Sequence, residues 1–232
     1  MSNELFIRTS GVLGKAAVKK LNSSKVAVFG LGGVGSYVAE ALARTGVGSF
    51  VLIDKDVVEE SNINRQLIAT TENIGTLKTE AMKQRILAIN PNAKVETCAV
   101  FYLENSGGAL IEGCDYVVDA IDNVTAKITL IKECKEFGVP IICAMGAANR
   151  TDPTAFKVAD ISKTSTCPLC RVVRRELRNA GIKDVKVVYS TEIPVPSSNG
   201  ELGSLAFATG AMGLLLAKEV VFALLGGHYD KN

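Results

Sequence analysis

The sequence predicts an α/β fold: a doubly wound, mostly parallel sheet with a C-terminal extension made of a crossover segment and a final helix. Three observations carry this expectation. Short apolar runs alternate with helical patterns between residues 25 and 144, which implies right-handed crossovers between parallel strands. A glycine-rich turn, Gly30-Leu31-Gly32-Gly33-Val34-Gly35, joins the first of these runs to a helical pattern. Past residue 146 the alternation stops, and Gly146-Ala147-Ala148-Asn149 opens a segment of different texture.

The chain of 232 residues is 47% apolar and 22% charged, which is globular and long enough to bury a sizeable core. Its net charge of +2 carries no whole-chain polyanion signature, so a nucleic-acid surface would have to be a local patch. Of the six cysteines only Cys167 and Cys170 are close together, which is no secreted disulfide framework. The N-terminus shows no basic start followed by an apolar run, and a cytoplasmic location is expected.

In chain order, residues 4–22 carry Arg8 and an amphipathic pattern (Val12, Leu13, Ala16, Val18, Leu21) that predicts a short helix. Strand 25–29, helix 34–45 and strand 49–54 follow. Helix 76–89 is started by Gly75-Thr76 and stopped by Asn90-Pro91. Strand 94–100, a short helix near 103–111, strand 115–119, helix 124–137 and strand 139–144 complete the core. Beyond it, 156–161 alternates like a strand, 169–180 is a basic helix, 185–189 is another strand candidate, and 193–203 reads as a mobile loop. The apolar run 205–227 carries Lys218 and Glu219 near its centre. In a bilayer each would cost roughly 2.5–3.5 kcal/mol, so a buried or partner-packed helix is expected, with peripheral membrane association as the alternative.

Gly30, Gly32 and Gly35 satisfy G-x-G-x-x-G between a strand and a helix, the context of a Rossmann-like nucleotide site. The helix N-terminus supplies N–H groups and positive dipole to a phosphate, and the Ser36 hydroxyl is placed to add to them. Asp54 ends the second strand, where a carboxylate can hold ribose hydroxyls. These residues do not choose NAD over ATP.

The polar block after that strand does discriminate. Asp56, Asn62, Asn64, Arg65 and Gln66 lie close together, and Lys78 opens the next helix. A guanidinium fork, an ammonium and several amides suit a triphosphate. Asp119-Ala120-Ile121-Asp122-Asn123 ends a further strand, and Asp122 beside phosphates would be a natural magnesium ligand. Asp122 and Asn123 could instead cap the helix at 124.

Taken together, Gly30-x-Gly32-Gly33-x-Gly35-Ser36, Asp54-x-Asp56, Asn62-x-Asn64-Arg65-Gln66, Gly75-x-x-Lys78 and Asp119-x-x-Asp122-Asn123 resemble the ubiquitin-activating-enzyme-like (ThiF/MoeB/HesA) superfamily. The resemblance covers about residues 5–225. Ala41 to Gly48, Ala159 to Thr164, Arg171 to Leu177 and Val188 to Glu192 look most like its tRNA threonylcarbamoyladenosine dehydratase branch. The resemblance implies one activating domain over 1–232. Residues 1–146 would be its nucleotide-binding core, and 147–232 its crossover, tRNA-facing segment and C-terminal helix.

By this resemblance Gly32, Gly33 and Asp54 hold the adenosine and ribose end of ATP. Asn62, Arg65, Gln66 and Lys78 hold the phosphates, and Asp122 holds Mg2+. Arg8 reaches into a partner subunit's site, which implies a homodimer. The implied reaction is adenylylation of a carboxylate and cyclising dehydration of threonylcarbamoyladenosine in tRNA. The alternative is an adenylyltransferase acting on a ubiquitin-like sulfur-carrier protein, with a sulfur-relay or cysteine-desulfurase partner left open. An NAD-dependent oxidoreductase is a third class, disfavoured by Arg65 and Lys78. The loop Gly200 to Phe207 lacks the cysteine that some dehydratases carry there, so no thioester step is expected at that place.

Cys167-Pro168-Leu169-Cys170 has no second cysteine pair to complete a zinc site. A redox pair or catalytic thiol is an alternative to the plainer expectation of small apolar residues at a helix start. Arg171, Arg174, Arg175 and Arg178 recur at helical spacing, either as a solvated face or as a contact for tRNA phosphates.

Overall fold

The computed structural model describes residues 4–100, 102, 107–197 and 200–227. Two helices, α1 (Ile7–Leu13) and α2 (Lys15–Asn22), precede the sheet where one was expected. Gly14 divides them at φ 86°, a conformation that interrupts a helix and that glycine tolerates. The core then runs β1 (Lys25–Phe29), α3 (Gly35–Thr45), β2 (Ser49–Ile53), α4 (Lys78–Ile89), β3 (Lys94–Cys98), α5 (Gly107–Ile111), β4 (Tyr116–Asp119), α6 (Val124–Glu136) and β5 (Ile141–Ala144). The extension contributes β6 (Phe156–Asp160), α7 (Pro168–Asn179), β7 (Lys186–Ser190) and α8 (Ala206–Leu224). The first part of the helix expected near 103–111, residues 103–106, lies outside the described residues.

Element types match the sequence expectation, and the boundaries shift for local reasons. The helix expected from residue 76 begins at Lys78, because Leu77 is extended and bridges Val57. β5 starts at Ile141, after Pro140, which has no N–H to donate.

One seven-stranded sheet has the order β3-β2-β1-β4-β5-β7-β6. Every neighbouring pair is parallel except β6 and β7. The chain winds outward from β1 in both directions, so the carboxyl ends of β1, β2 and β4 border the crevice where such sheets bind ligands.

Strand residues alternate between two apolar layers, as a pleat requires. Val26, Val28, Phe50, Leu52, Val118 and Ile142 pack with α3, α4 and α8. Ala27, Phe29, Val51, Ile53, Val117 and Cys143 face α6 and α7. Small residues let α8 settle against α3. A methyl group at Gly213 would stand 2.6 Å from the Val34 carbonyl oxygen, and one at Gly210 would stand 3.1 Å from the Tyr37 ring. This helix is 19 residues long with mean hydropathy 1.6, enough by composition to cross a membrane, and 56% of that window is buried within the protein. Glu219 pairs with Lys218 at 2.9 Å and with Lys186 of β7 at 3.3 Å.

Candidate active site

The glycine turn closes over the end of β1. Gly30 sits at φ 86°, and a methyl group there would lie 2.6 Å from the Ala120 carbonyl oxygen. At Gly35 it would lie 1.8 Å from the Gly30 carbonyl oxygen, so both positions require glycine. Gly32 is different: the one atom within 4 Å of such a group is Gln66 Nε2 at 3.8 Å. The missing side chain there leaves room for a ligand. The Asp54 carboxylate accepts the Leu31 N–H at 2.7 Å and the Asp56 N–H at 2.9 Å, tying the turn to the end of β2. Each oxygen keeps acceptor capacity that could serve a ribose hydroxyl.

Ser36 corrects an expectation. Its hydroxyl donates to the Gly32 carbonyl at 2.6 Å and accepts the Leu67 N–H at 3.2 Å, and the residue is fully buried. It joins the glycine turn to the polar block and is not turned toward a ligand.

Turn and block together border a cavity of about 830 Å³. Lys78, with its side chain 8% exposed, donates to Asp56 at 3.2 Å. Lys78 is also the first residue of α4, where the helix dipole disfavours a cation. An anion in the cavity would offset that conflict. Arg65 donates through Nη1 to the Ser61 carbonyl at 2.7 Å and to Asn64 Oδ1 at 3.0 Å. Its side chain lies across Gly33, whose added methyl would be 3.3 Å from Arg65 Cγ. Asn62 and Glu59 form a reciprocal cap on the 3-10 turn Glu60–Asn62, and Asn62 Nδ2 also donates to Ser61 Oγ. Asn64 Nδ2 donates to the Ser204 carbonyl, tying the block to the loop before α8. Gln66 is buried, and its Oε1 has no hydrogen-bond partner among the described residues, an acceptor left open at the cavity wall.

Across the crevice, Asn123 Oδ1 accepts the Ala126 N–H and caps α6. The exposed Asp122 carboxylate borders the cavity with no hydrogen bond or ion pair to another described residue. An unengaged carboxylate of this kind suits a hydrated magnesium ion that takes its other oxygens from phosphate and water. Among the described residues no group of three or more His, Cys, Asp or Glu side chains could hold a metal by itself. Behind Asp122, Lys127 and Asp119 are both fully buried and bonded at 2.7 Å, and Lys127 also donates to the Ala144 carbonyl at 3.0 Å. This pair clamps the ends of β4 and β5.

The ThiF family model matches residues 6–232. The chain belongs to the ThiF family. It is 43% identical to the tRNA threonylcarbamoyladenosine dehydratase of Bacillus subtilis, over 95% of this chain and 94% of that protein. The structure of Escherichia coli tRNA N6-threonylcarbamoyladenosine dehydratase, TcdA, in complex with ATP superposes with a TM-score of 0.90 at 33% identity. That match covers 99% of this chain and 97% of the other. The adenylyltransferase and sulfurtransferase UBA4 of Saccharomyces cerevisiae is more distant, 27% identical over 97% of this chain but 46% of its own length. Within the ThiF family the chain therefore stands with the dehydratases.

Several residues singled out in the sequence lie outside this ThiF-family cavity. Arg8 is exposed on α1 and does not line the cavity of its own chain. On α7, Arg171, Arg175 and Arg178 are exposed, and Arg175 pairs with Glu176. Arg174 is not part of that free face. It donates to the Thr164 carbonyl at 2.9 Å and to Thr164 Oγ1 at 2.7 Å, fastening α7 to the preceding turn.

Cys167 and Cys170 are 3% and 1% exposed at the start of α7, as small apolar residues would be. Cys167 nevertheless borders the cavity. A hydrogen bond from Cys170 holds its thiol down at about 5 against the effect of burial, with the backbone N–H groups of Cys170, Gly146 and Leu169 adding to it. Cys170, the partner that keeps the proton, is pushed up.

The sequence reading passed over Lys127 and Arg150. Lys127 belongs to no motif singled out in the sequence, although its place a turn into the helix after Asp119 was a usable signal. Arg150 stands beside Asn149 in a loop with no periodicity to read, and it proves 2% exposed at the cavity wall.

Proposed function

We propose that this chain is an ATP-dependent tRNA threonylcarbamoyladenosine dehydratase, working by adenylylation. The observation that carries the reading is a cavity that joins the glycine turn and Asp54 to two cations, Arg65 and Lys78, and to the unengaged Asp122 carboxylate. The likeness to dehydratases along nearly the whole chain supports the choice of substrate.

In this reading Gly32, Gly33 and Asp54 receive the nucleoside end of ATP, in the turn that Gly30 and Gly35 shape. Asp56 orients Lys78, and Asn62, Arg65, Gln66 and Lys78 face the phosphates. Magnesium held by Asp122 and phosphate oxygens would neutralise charge there. The threonyl carboxylate attacks the α-phosphate, a new O–P bond forms, and pyrophosphate leaves. Arg65 and Lys78 stabilise the charge that builds on the phosphate oxygens. The carbamoyl group of the same modified base then attacks the activated carbonyl. AMP departs with the former carboxylate oxygen and a carbamoyl proton goes to solvent, so one water is lost overall. Closure within one molecule has a high effective concentration, and no protein nucleophile is needed.

Residues 1–232 act as one domain in this reading, with 147–232 turned to the tRNA. A homodimer completes the site through Arg8 of the neighbouring subunit. Its support is an apolar surface at α1 and α8, where Leu5, Ile7, Val12, Phe207 and Leu214 are all more than half exposed. The face of α8 buried on α3 and its Glu219–Lys186 pair support a cytoplasmic protein over a membrane-held one.

The test is incubation with ATP, magnesium and tRNA bearing threonylcarbamoyladenosine, then mass analysis of the digested nucleosides. Loss of one water is expected. An unchanged nucleoside, with AMP formed only when a ubiquitin-like carrier protein is supplied, would overturn the reading. Asp122→Ala and Arg65→Ala should each lower AMP release at least ~100-fold, the scale for removing one group that stabilises the transition state.

A further inference from the structure

Arg150 carries a conflict that the nucleotide reading leaves unresolved. It is 2% exposed, and its Nε and Nη1 have no hydrogen-bond partner among the described residues. More than half of the guanidinium's donors are thus shut from solvent without an acceptor. A buried cation in that condition costs several kcal/mol. Among the described residues it forms no salt bridge; the carboxylate it influences, Glu192, is already occupied. Glu192 accepts the Thr151 N–H at 3.0 Å, the Thr151 hydroxyl at 2.8 Å and the Asp152 N–H at 3.1 Å.

The backbone on both sides of Arg150 is fixed. Asn149 sits at φ 55°, in the left-handed region, and trades hydrogen bonds with Gly203 at 2.8 and 2.6 Å. Its carbonyl accepts the Val195 N–H at 2.9 Å. On the other side, Thr151 and Asp152 are tied to Glu192. A residue pinned this firmly, with a strained neighbour, is oriented for a purpose that no contact within the described chain supplies.

Its position indicates the ligand. Arg150 lines the same cavity as Lys78 and Asp122 but follows β5, on the far side of β4 from β2 and Asp54. In the nucleotide reading the ATP phosphates already have Asn62, Arg65, Gln66 and Lys78 on the near side. The oxyanion that must approach from the far side is the attacking carboxylate.

We propose that Arg150 is the subsite for the acceptor carboxylate, gripping the threonyl carboxylate of the modified tRNA and presenting it to the α-phosphate. This rests on the dehydratase reading. The guanidinium offsets repulsion between carboxylate and triphosphate and fixes the angle of attack.

The experiment compares wild type, Arg150→Ala and Arg150→Lys. First, wild type must dehydrate the modified tRNA; failure there overturns the dehydratase reading and, with it, the assignment of Arg150 to the threonyl carboxylate, whereas the outcomes below bear on Arg150 alone. Next, dissociation constants are measured without ATP for tRNA with and without the threonylcarbamoyl group. Arg150→Ala should weaken binding of the modified tRNA on the order of tenfold to a hundredfold, as for a missing hydrogen bond to a charged group. Binding of the unmodified tRNA and KM for ATP should hold, and Arg150→Lys should recover part of the loss. Equal weakening toward both tRNAs would assign Arg150 to a backbone phosphate, and a raised KM for ATP would assign it to the nucleotide; either overturns the proposal. Thermal melting separates out a structural role. Removing an unpaired buried cation should leave Tm unchanged or raised, and a clear fall in Tm with unchanged tRNA discrimination also overturns it.

Discussion

Charge inside the protein follows two rules in this chain. Lys127 and Asp119 are both fully buried, bonded to each other and to the ends of two strands. Arg150 is buried with two of its nitrogens unbonded to any described residue. The first arrangement is complete without a ligand and the second is not, which is why one reads as scaffold and the other as site. Lys127→Met should therefore be strongly destabilising, by about 3–5 kcal/mol, because it leaves the Asp119 carboxylate buried without its partner. Urea unfolding of the two proteins measures this, and a change within experimental scatter would show that the clamp is dispensable. The sequence displayed the residue types at these positions but not their burial. Gly30, Asp54, Arg65 and Lys78 were legible because motif spacing ties each to a strand end or helix start. Arg150 was not, because its orientation comes from hydrogen bonds to residues 192, 195 and 203, far along the chain.

At the scale of elements, α7 shows what spacing can and cannot tell. The recurrence of arginine at three and four residues put Arg171, Arg174, Arg175 and Arg178 on neighbouring positions of one helix, and the helix exists. Yet Arg174 lies at the edge of that face and turns inward to Thr164. Replacing it would disturb α7 itself, so the surface is better tested through Arg171, Arg175 and Arg178. Changing these three to alanine should weaken tRNA binding and reduce the slope of log K against log salt by up to about two units, at ~0.7 for each single-strand phosphate that is no longer neutralised. Titration at several salt concentrations reads both. An unchanged slope would mean that α7 is a solvated face. The helix termini were the least legible feature, since the N-terminus of α4 is set by a bridge between Val57 and Leu77 that no local pattern announces.

For the whole molecule, the strand alternation conveyed most of the sheet, and the glycine turn located its crevice. Periodicity gave no hint that β7 would pair with β5, or that β6 would run antiparallel at the edge. Those pairings depend on packing across the extension. The proposed dimer is likewise a property of the assembly. If Arg8 serves the neighbouring subunit, mixing Arg8→Ala with Asp122→Ala under subunit exchange restores one intact site in each mixed dimer. Activity should return to about a quarter of the wild-type value at equal mixing. If Arg8 acts within its own chain, no site is intact and nothing returns.

The seat of α8 against α3 has a consequence for how the molecule is made. The start of α3, with Val34 just before it and Tyr37 within it, is synthesised early, while Gly210 and Gly213, which close over it, come from the last part of the described chain. A ribosome works in one direction at roughly 5–20 residues per second. One apolar layer of the sheet therefore stays uncovered until residues 206–224 have emerged. Neither apolar layer is finished by residues 4–146 alone, and the cavity lacks part of its wall until Thr209 has emerged.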